Sequence, residues 1–239
     1  MKPHQQKILQ TLAERIRETE AQSRPQPRAL VPLGVAPLED LFPERRLPPG
    51  SRVEFVSVLE GDGAGTLALW LARQACAEGK ALVVADGDGT FYPPGAAALG
   101  PDWTSCIVVR PLTLREAYLA AEYSLRCPAV GAVVARCGQL SGAVAHRLRA
   151  AAEAGGGIGV ILRSRADLAA PAWATLRLLV RPLASPQECR RLQIEVLYCR
   201  GNPAGQSFVL EIDHETGHVR LPAVVATPAA RPRSAGTSG

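Results

Sequence analysis

Arg52-Val-Glu-Phe-Val-Ser-Val-Leu-Glu-Gly-Asp-Gly-Ala-Gly-Thr-Leu-Ala-Leu-Trp-Leu-Ala-Arg73 is the stretch that decides the fold of this chain. Arg52 to Val58 reads as a strand, Leu59 to Gly65 as a glycine-rich turn, and a helix is predicted from about Thr66. That is the layout of a nucleotide phosphate loop, in which backbone N–H groups at the start of a helix hold an anion. The side chains of that chemistry are missing. A working loop ends Gly-Lys-Ser/Thr, whereas Gly63-Ala64-Gly65-Thr66 puts an alanine in the lysine's place. What is left is a remnant made of Gly61, Gly63, Ala64, Gly65 and Thr66, with Thr66 expected to cap the helix.

Outward from this stretch, strands alternate with helices. Ala81 to Ala85 is a continuous apolar run, as buried parallel strands are. Asp86-Gly-Asp-Gly-Thr90 follows as a loop. Further strands are read at Cys106 to Arg110, Val130 to Val134 and Ile158 to Leu162, separated by helices over Leu114 to Arg126 and Ser141 to Ala154. Such alternation predicts a parallel sheet covered on both faces, with right-handed crossovers. The pattern changes after Pro171. Thr175 to Leu183, Arg191 to Cys199, Ser207 to Ile212 and His218 to Leu221 come with turns and no helices, so antiparallel ribbons are expected to extend the sheet.

The ends differ from the middle. Gln5 to Gln22 reads as an amphipathic helix whose stripe of Ile8, Leu12 and Ile16 either packs on its own domain or docks on a partner. Pro25, Pro27 and Pro32 make the following segment an extended linker. The resulting division is a helix over 1–22, a linker over 23–33, a core over 34–221 and a disordered tail over 222–239.

Composition narrows the class. At 239 residues, 47% hydrophobic and 21% charged, the chain is expected to be a soluble globular protein. No apolar run approaches the ~20 residues that cross a bilayer, and the N-terminus has no signal-peptide core, so the cytoplasm is the expected location and no membrane contact is expected. The six cysteines form no C-x-x-C pair and are expected to be buried, reduced thiols. The four histidines are scattered, with His214 and His218 bracketing a turn. The net charge of +5 comes almost wholly from arginine and is spread along the chain.

In this order the parts resemble the RecA-like core, and within it the ImuA family of SOS mutagenesis accessory proteins, often labelled SulA-like. The pieces that carry the resemblance are Leu38-Glu-Asp-Leu-Phe-Pro43 with Leu47-Pro-Pro-Gly50, Glu54 in the first strand, the Gly61-to-Thr66 turn, Asp86-Gly-Asp-Gly-Thr-Phe-Tyr-Pro93, Val109-Arg-Pro111 and the helix carrying Arg147. The resemblance covers roughly Leu38 to Leu221. The resemblance implies an α/β fold: a RecA-like, P-loop-type core with a mostly parallel central sheet flanked by helices, and C-terminal antiparallel strands.

The resemblance also shows what is absent. In RecA-like ATPases the loop lysine binds the outer phosphates, the next hydroxyl binds magnesium, and an acid after the Walker B strand orders the metal shell. Here Ala64, Gly65 and the pair Ala135-Arg136 stand at those places. Asp88 aligns with the acid that polarises water and Asp86 with the acid before it, although aspartates among glycines also serve as turn formers. Losing two charge-assisted contacts removes on the order of 4 kcal/mol, about a thousandfold in affinity. No catalytic residue, metal or cofactor is therefore expected, and weak ATP binding through the loop amides is the residual option.

The function implied is that of a non-catalytic accessory or scaffold protein in SOS-induced translesion DNA synthesis. Its implied partners are an ImuB-like Y-family polymerase relative, an error-prone replicative-type polymerase and RecA, with self-association as a further option. The alternative is a nucleotide-binding RecA-like ATPase with weak DNA binding in DNA repair. Arg147, Arg149, Arg190, Arg191, Arg231 and Arg233 are the nucleic-acid candidates, weighed against a role in surface ion pairs. Aromatics at 5% offer few platforms for stacking bases.

Overall fold

The computed structural model describes residues 29–222 apart from 77–78, 97–98, 100–102 and 137–139. The segment bearing Ile8, Leu12 and Ile16 and the tail bearing Arg231 and Arg233 lie outside the described residues. The chain divides into two units, Met1–Leu30 and Val31–Gly239, and the second holds every element below.

β1 (Val31–Pro32) pairs antiparallel with β2 (Arg46–Leu47), and α1 (Ala36–Glu39) lies between them in sequence. This corrects the linker boundary: Val31 and Leu33 are buried core residues, because Val31 is held opposite Leu47 by strand pairing. Next come β3 (Arg52–Ser57), α2 (Ala64–Ala75), β4 (Ala81–Ala85), α3 (Pro93–Ala96), β5 (Cys106–Val109) and α4 (Leu114–Arg126). β6 (Val130–Arg136), α5 (Gly142–Gly155) and β7 (Ile158–Ser164) follow, then β8 (Leu176–Pro182), β9 (Cys189–Cys199), β10 (Ser207–Asp213) and β11 (Val219–Arg220). They form a nine-stranded sheet in the order β11-β10-β9-β8-β3-β7-β6-β4-β5.

β3, β4, β5, β6 and β7 are mutually parallel, as their alternation with helices predicts. β8, grouped by sequence with the ribbon strands, belongs to both regions. It runs parallel to β3 and antiparallel to β9. β9, β10 and β11 then continue antiparallel.

The period of two explains how these strands bury both faces. Leu82 and Val84 of β4, with Ala132 and Val134 of β6, face Leu67, Ala68 and Leu71 of α2. Their neighbours Val83, Ala85, Val133 and Ala135 face Ala121 and Leu125 of α4 and Leu148 and Ala152 of α5. Each fully buried leucine or valine contributes about 1.5–3 kcal/mol. α4 begins at a capping box: Thr113 accepts from the Glu116 N–H, and the Glu116 carboxylate accepts from the Thr113 N–H.

The second face carries charge where β3 meets β8. Glu54 and Arg177 are opposite one another in register, both buried, with Arg177 Nη2 2.6 Å from Glu54 Oε2. Arg177 Nε also donates to Glu54 Oε2, while Nη1 donates to the Ala170 carbonyl and Nη2 to that of Pro171, which fixes the connection from β7 into β8.

Candidate functional site: a phosphate loop closed on itself

β3 ends at Ser57, and the chain turns through Gly61 and Gly63 into α2 at the carboxyl edge of the parallel strands. In open α/β sheets ligands bind along this edge. Gly63 is the N-cap of α2 with φ 100°, a value that glycine adopts without strain. A Cβ there would also lie 2.8 Å from Leu192 Cδ1. The expectation that Thr66 caps the helix is therefore wrong. The helix opens two residues earlier, and Thr66 sits inside its first turn.

The loop's amides are occupied by its own side chain. Asp62 is buried, and its Oδ2 accepts from the N–H of Val58 at 2.7 Å and of Leu59 at 3.3 Å. Its Oδ1 accepts from the N–H of Ala64 at 3.0 Å, and Ser57 Oγ lies 2.9 Å from Oδ2. A carboxylate that belongs to the chain thus takes three of the backbone donors that such a turn would otherwise offer to a ligand. β9 closes the turn from above: Arg190 Nη2 donates to the Gly61 carbonyl, and Leu192 packs beside Gly63.

A cavity of about 340 Å³ remains over the loop, lined by Gly61 to Thr66, Asp88, Arg136 and Arg190. Across it, Arg136 Nε is 2.7 Å from Asp88 Oδ2, and Asp88 also accepts from Thr90 Oγ1. Asp86 is buried and accepts from the Phe91 N–H at 3.1 Å, with Arg110 Nε 3.4 Å from its second oxygen. The two acidic-loop candidates are therefore brought to the cavity region, each with a guanidinium beside it. The turn-forming reading describes Asp86; Asp88 is held by an ion pair across the cavity.

Asp62 is the residue that sequence reasoning missed. Its signal was the Gly61-Asp62-Gly63 triplet, since an aspartate between glycines commonly accepts bonds from nearby amides.

Of the nucleic-acid candidates, the four among the described residues each have a partner within the chain. Arg147 of α5 pairs with Glu122 of α4, and Arg149 with Glu153 on its own helix at 2.8 Å. Arg190 serves the loop, and Arg191 lies 2.9 Å from Glu211 of β10. The carboxyl of Glu122 is held below its ordinary value: burial pushes it up, but the bonds from Arg147 and Arg126 outweigh that. Bonding to Arg191, opposed by burial and reinforced by Arg220, holds Glu211 down as well.

Among the described cysteines, Cys76, Cys106, Cys127, Cys189 and Cys199 are free thiols. Burial pushes Cys76 up to about 11, while Cys127 is exposed at the end of α4, contrary to the expectation of buried thiols. No group of three or more His, Cys, Asp or Glu among the described residues is placed to hold a metal. No helix among them is long and apolar enough to cross a membrane.

No family model matches the chain, and no curated protein matches it in sequence. Among solved structures, it is similar to the crystal structure of the RadB recombinase, with a TM-score of 0.62 at 15% identity over 81% of this chain and 100% of that one. The fold is RecA-like.

Proposed function

We propose that this chain is a RecA-like protein that has given up nucleotide chemistry and works as a non-catalytic accessory subunit. The observation that carries the reading is Asp62. A triphosphate at this turn would have to displace a buried carboxylate from three amides, and it would meet that charge without a lysine to offset it. Two negative charges held that close cost several kcal/mol at low effective dielectric. Arg136 adds a second obstacle, because a cation at the end of β6 repels the magnesium that an acid would hold. The residues present do not fit a magnesium nucleotide.

The finer reading rests on the ImuA resemblance: an accessory or scaffold role in SOS-induced translesion synthesis, through contacts with ImuB, an error-prone replicative-type polymerase and RecA. The Ile8/Leu12/Ile16 segment is its docking arm in this reading. The competing reading, a nucleotide-binding ATPase with weak DNA binding in DNA repair, draws on the similarity to a recombinase and on the amides of Gly63, Gly65 and Thr66 at the start of α2.

Titration calorimetry with magnesium ATP separates the two. Absence of binding at roughly millimolar nucleotide is expected, and micromolar affinity would overturn the proposal. Co-purification with ImuB from damaged cells tests the partner, and Leu12→Asp is expected to abolish it. A complex that survives the substitution removes the arm from the proposal.

A further inference from the structure

A separate cavity of about 210 Å³ opens at the amino edge of the sheet, where β3 and β8 begin. The six residues of β3, at about 3.3 Å each, set it roughly 20 Å from the phosphate-loop turn. Pro48, Pro49 and Trp173 contribute apolar walls, while Arg52, Arg149 and Arg200 contribute positive charge. Against the three guanidiniums stands one carboxylate, Glu153, whose Oε1 is 2.8 Å from Arg149 Nε. Neither Arg52 nor Arg200 forms an ion pair among the described residues.

Arg52 is only 4% exposed. One of its terminal nitrogens donates to the Ala145 carbonyl of α5, but Nε has no hydrogen-bond partner. A buried donor without a partner is costly to leave unmade. Burial pulls the Arg52 guanidinium down to about 10; Glu54 opposes this, and Arg149, Arg200 and Arg163 reinforce it. These cations converge with too little negative charge between them.

Trp173 supplies the other half of the site. Its indole lies on Gly142, where a Cβ would stand 3.2 Å from Cζ2, so one side of the ring is backed by α5. The residue remains 42% exposed. A braced and accessible indole suits a planar or aliphatic group.

We propose that this cavity binds an oxyanion carried on an apolar group, the anion on the arginines and the apolar body against Trp173. The shared chemistry is that of an aryl or alkyl carboxylate or a phosphate monoester. Arginine's planar fork pairs with either in two parallel hydrogen bonds.

Intrinsic fluorescence titration of the full chain with benzoate, phenyl phosphate, benzamide and inorganic phosphate tests it. At least one of the two aryl anions is expected to bind saturably and at least about tenfold more tightly than neutral benzamide and inorganic phosphate. The tighter aryl anion identifies the head group. Arg200→Gln, at an exposed position, is expected to weaken that binding about tenfold or more with an unchanged melting temperature, and Arg149→Gln provides a second reading. Trp173→Phe is expected to remove most of the optical response. Equal binding of benzamide and benzoate, equal binding of inorganic and phenyl phosphate, or no saturable signal would overturn the proposal. The cavity lies apart from the Asp62 loop, so failure here leaves the calorimetry with ATP to be judged by itself.

Discussion

The two edges of the parallel strands treat charge in opposite ways. At the carboxyl edge, Asp62 is bonded to amides of its own loop, Asp88 faces Arg136, Asp86 faces Arg110, and Arg190 donates to Gly61. At the amino edge, Arg52, Arg149 and Arg200 gather around a cavity whose described lining holds one carboxylate, Glu153. Groups already bonded within the chain have little to gain from an outside ligand, because their desolvation has been offset. Groups left unmatched gain most when a ligand arrives. A fold that usually binds at one edge here carries its unmatched charge at the other.

The largest effect is expected between the edges, at the internal pair of Glu54 and Arg177. Glu54→Gln leaves the Arg177 cation buried without its counter-charge and should cost about 3–5 kcal/mol, read from urea unfolding. A neutral result would mean that matching charges inside this sheet stabilises nothing, and the contrast would lose its energetic basis.

Next is the loop. Asp62→Ala frees three amides and should cost about 2–3 kcal/mol in a buffer without oxyanions. Added inorganic phosphate should then raise the melting temperature of the variant more than that of the parent, since the variant offers three donors that Asp62 occupies in the parent. Equal phosphate responses from the two proteins would break the contrast.

The smallest effect is at Glu211, whose partners Arg191 and Arg220 are partly exposed, so screening limits Glu211→Gln to about 1 kcal/mol at neutral pH. The folded carboxyl is held below its ordinary value, so its contribution is complete above the unfolded pKa of about 4.3 and disappears as pH falls through the lower folded value. Unfolding midpoints of parent and variant should differ at pH ~7 and converge in acid below that range. A gap that persists in acid would assign the loss to packing.

Much of the fold was legible because it rests on local signals. The apolar runs of β4 and β6, the Gly61-to-Gly65 turn and the 3.6-residue stripe of α2 each identify themselves within a dozen residues. Legibility failed where a residue's role depends on distant partners. Val31 looks like linker until Leu47 pairs with it, and β8 looks like ribbon until β3 lies beside it. Thr66 has the chemistry of a cap, yet Gly63 turns the chain first, at a φ of 100° and with no Cβ to meet Leu192. The absence of lysine and of the Walker B acid could be read at once. That Asp62 fills the turn was signalled only by its place between two glycines, since the spacing does not say which amides its carboxylate reaches. The amino-edge cavity draws Arg52, Arg149, Trp173 and Arg200 from distant points in the chain, and no local pattern connects them.

Because Asp62 is covalently tethered to the turn it fills, it can be neither washed out by dialysis nor depleted by starvation. The shape of this turn therefore asks nothing of the cellular energy charge. The folded fraction of the purified protein should be the same with and without added nucleotide.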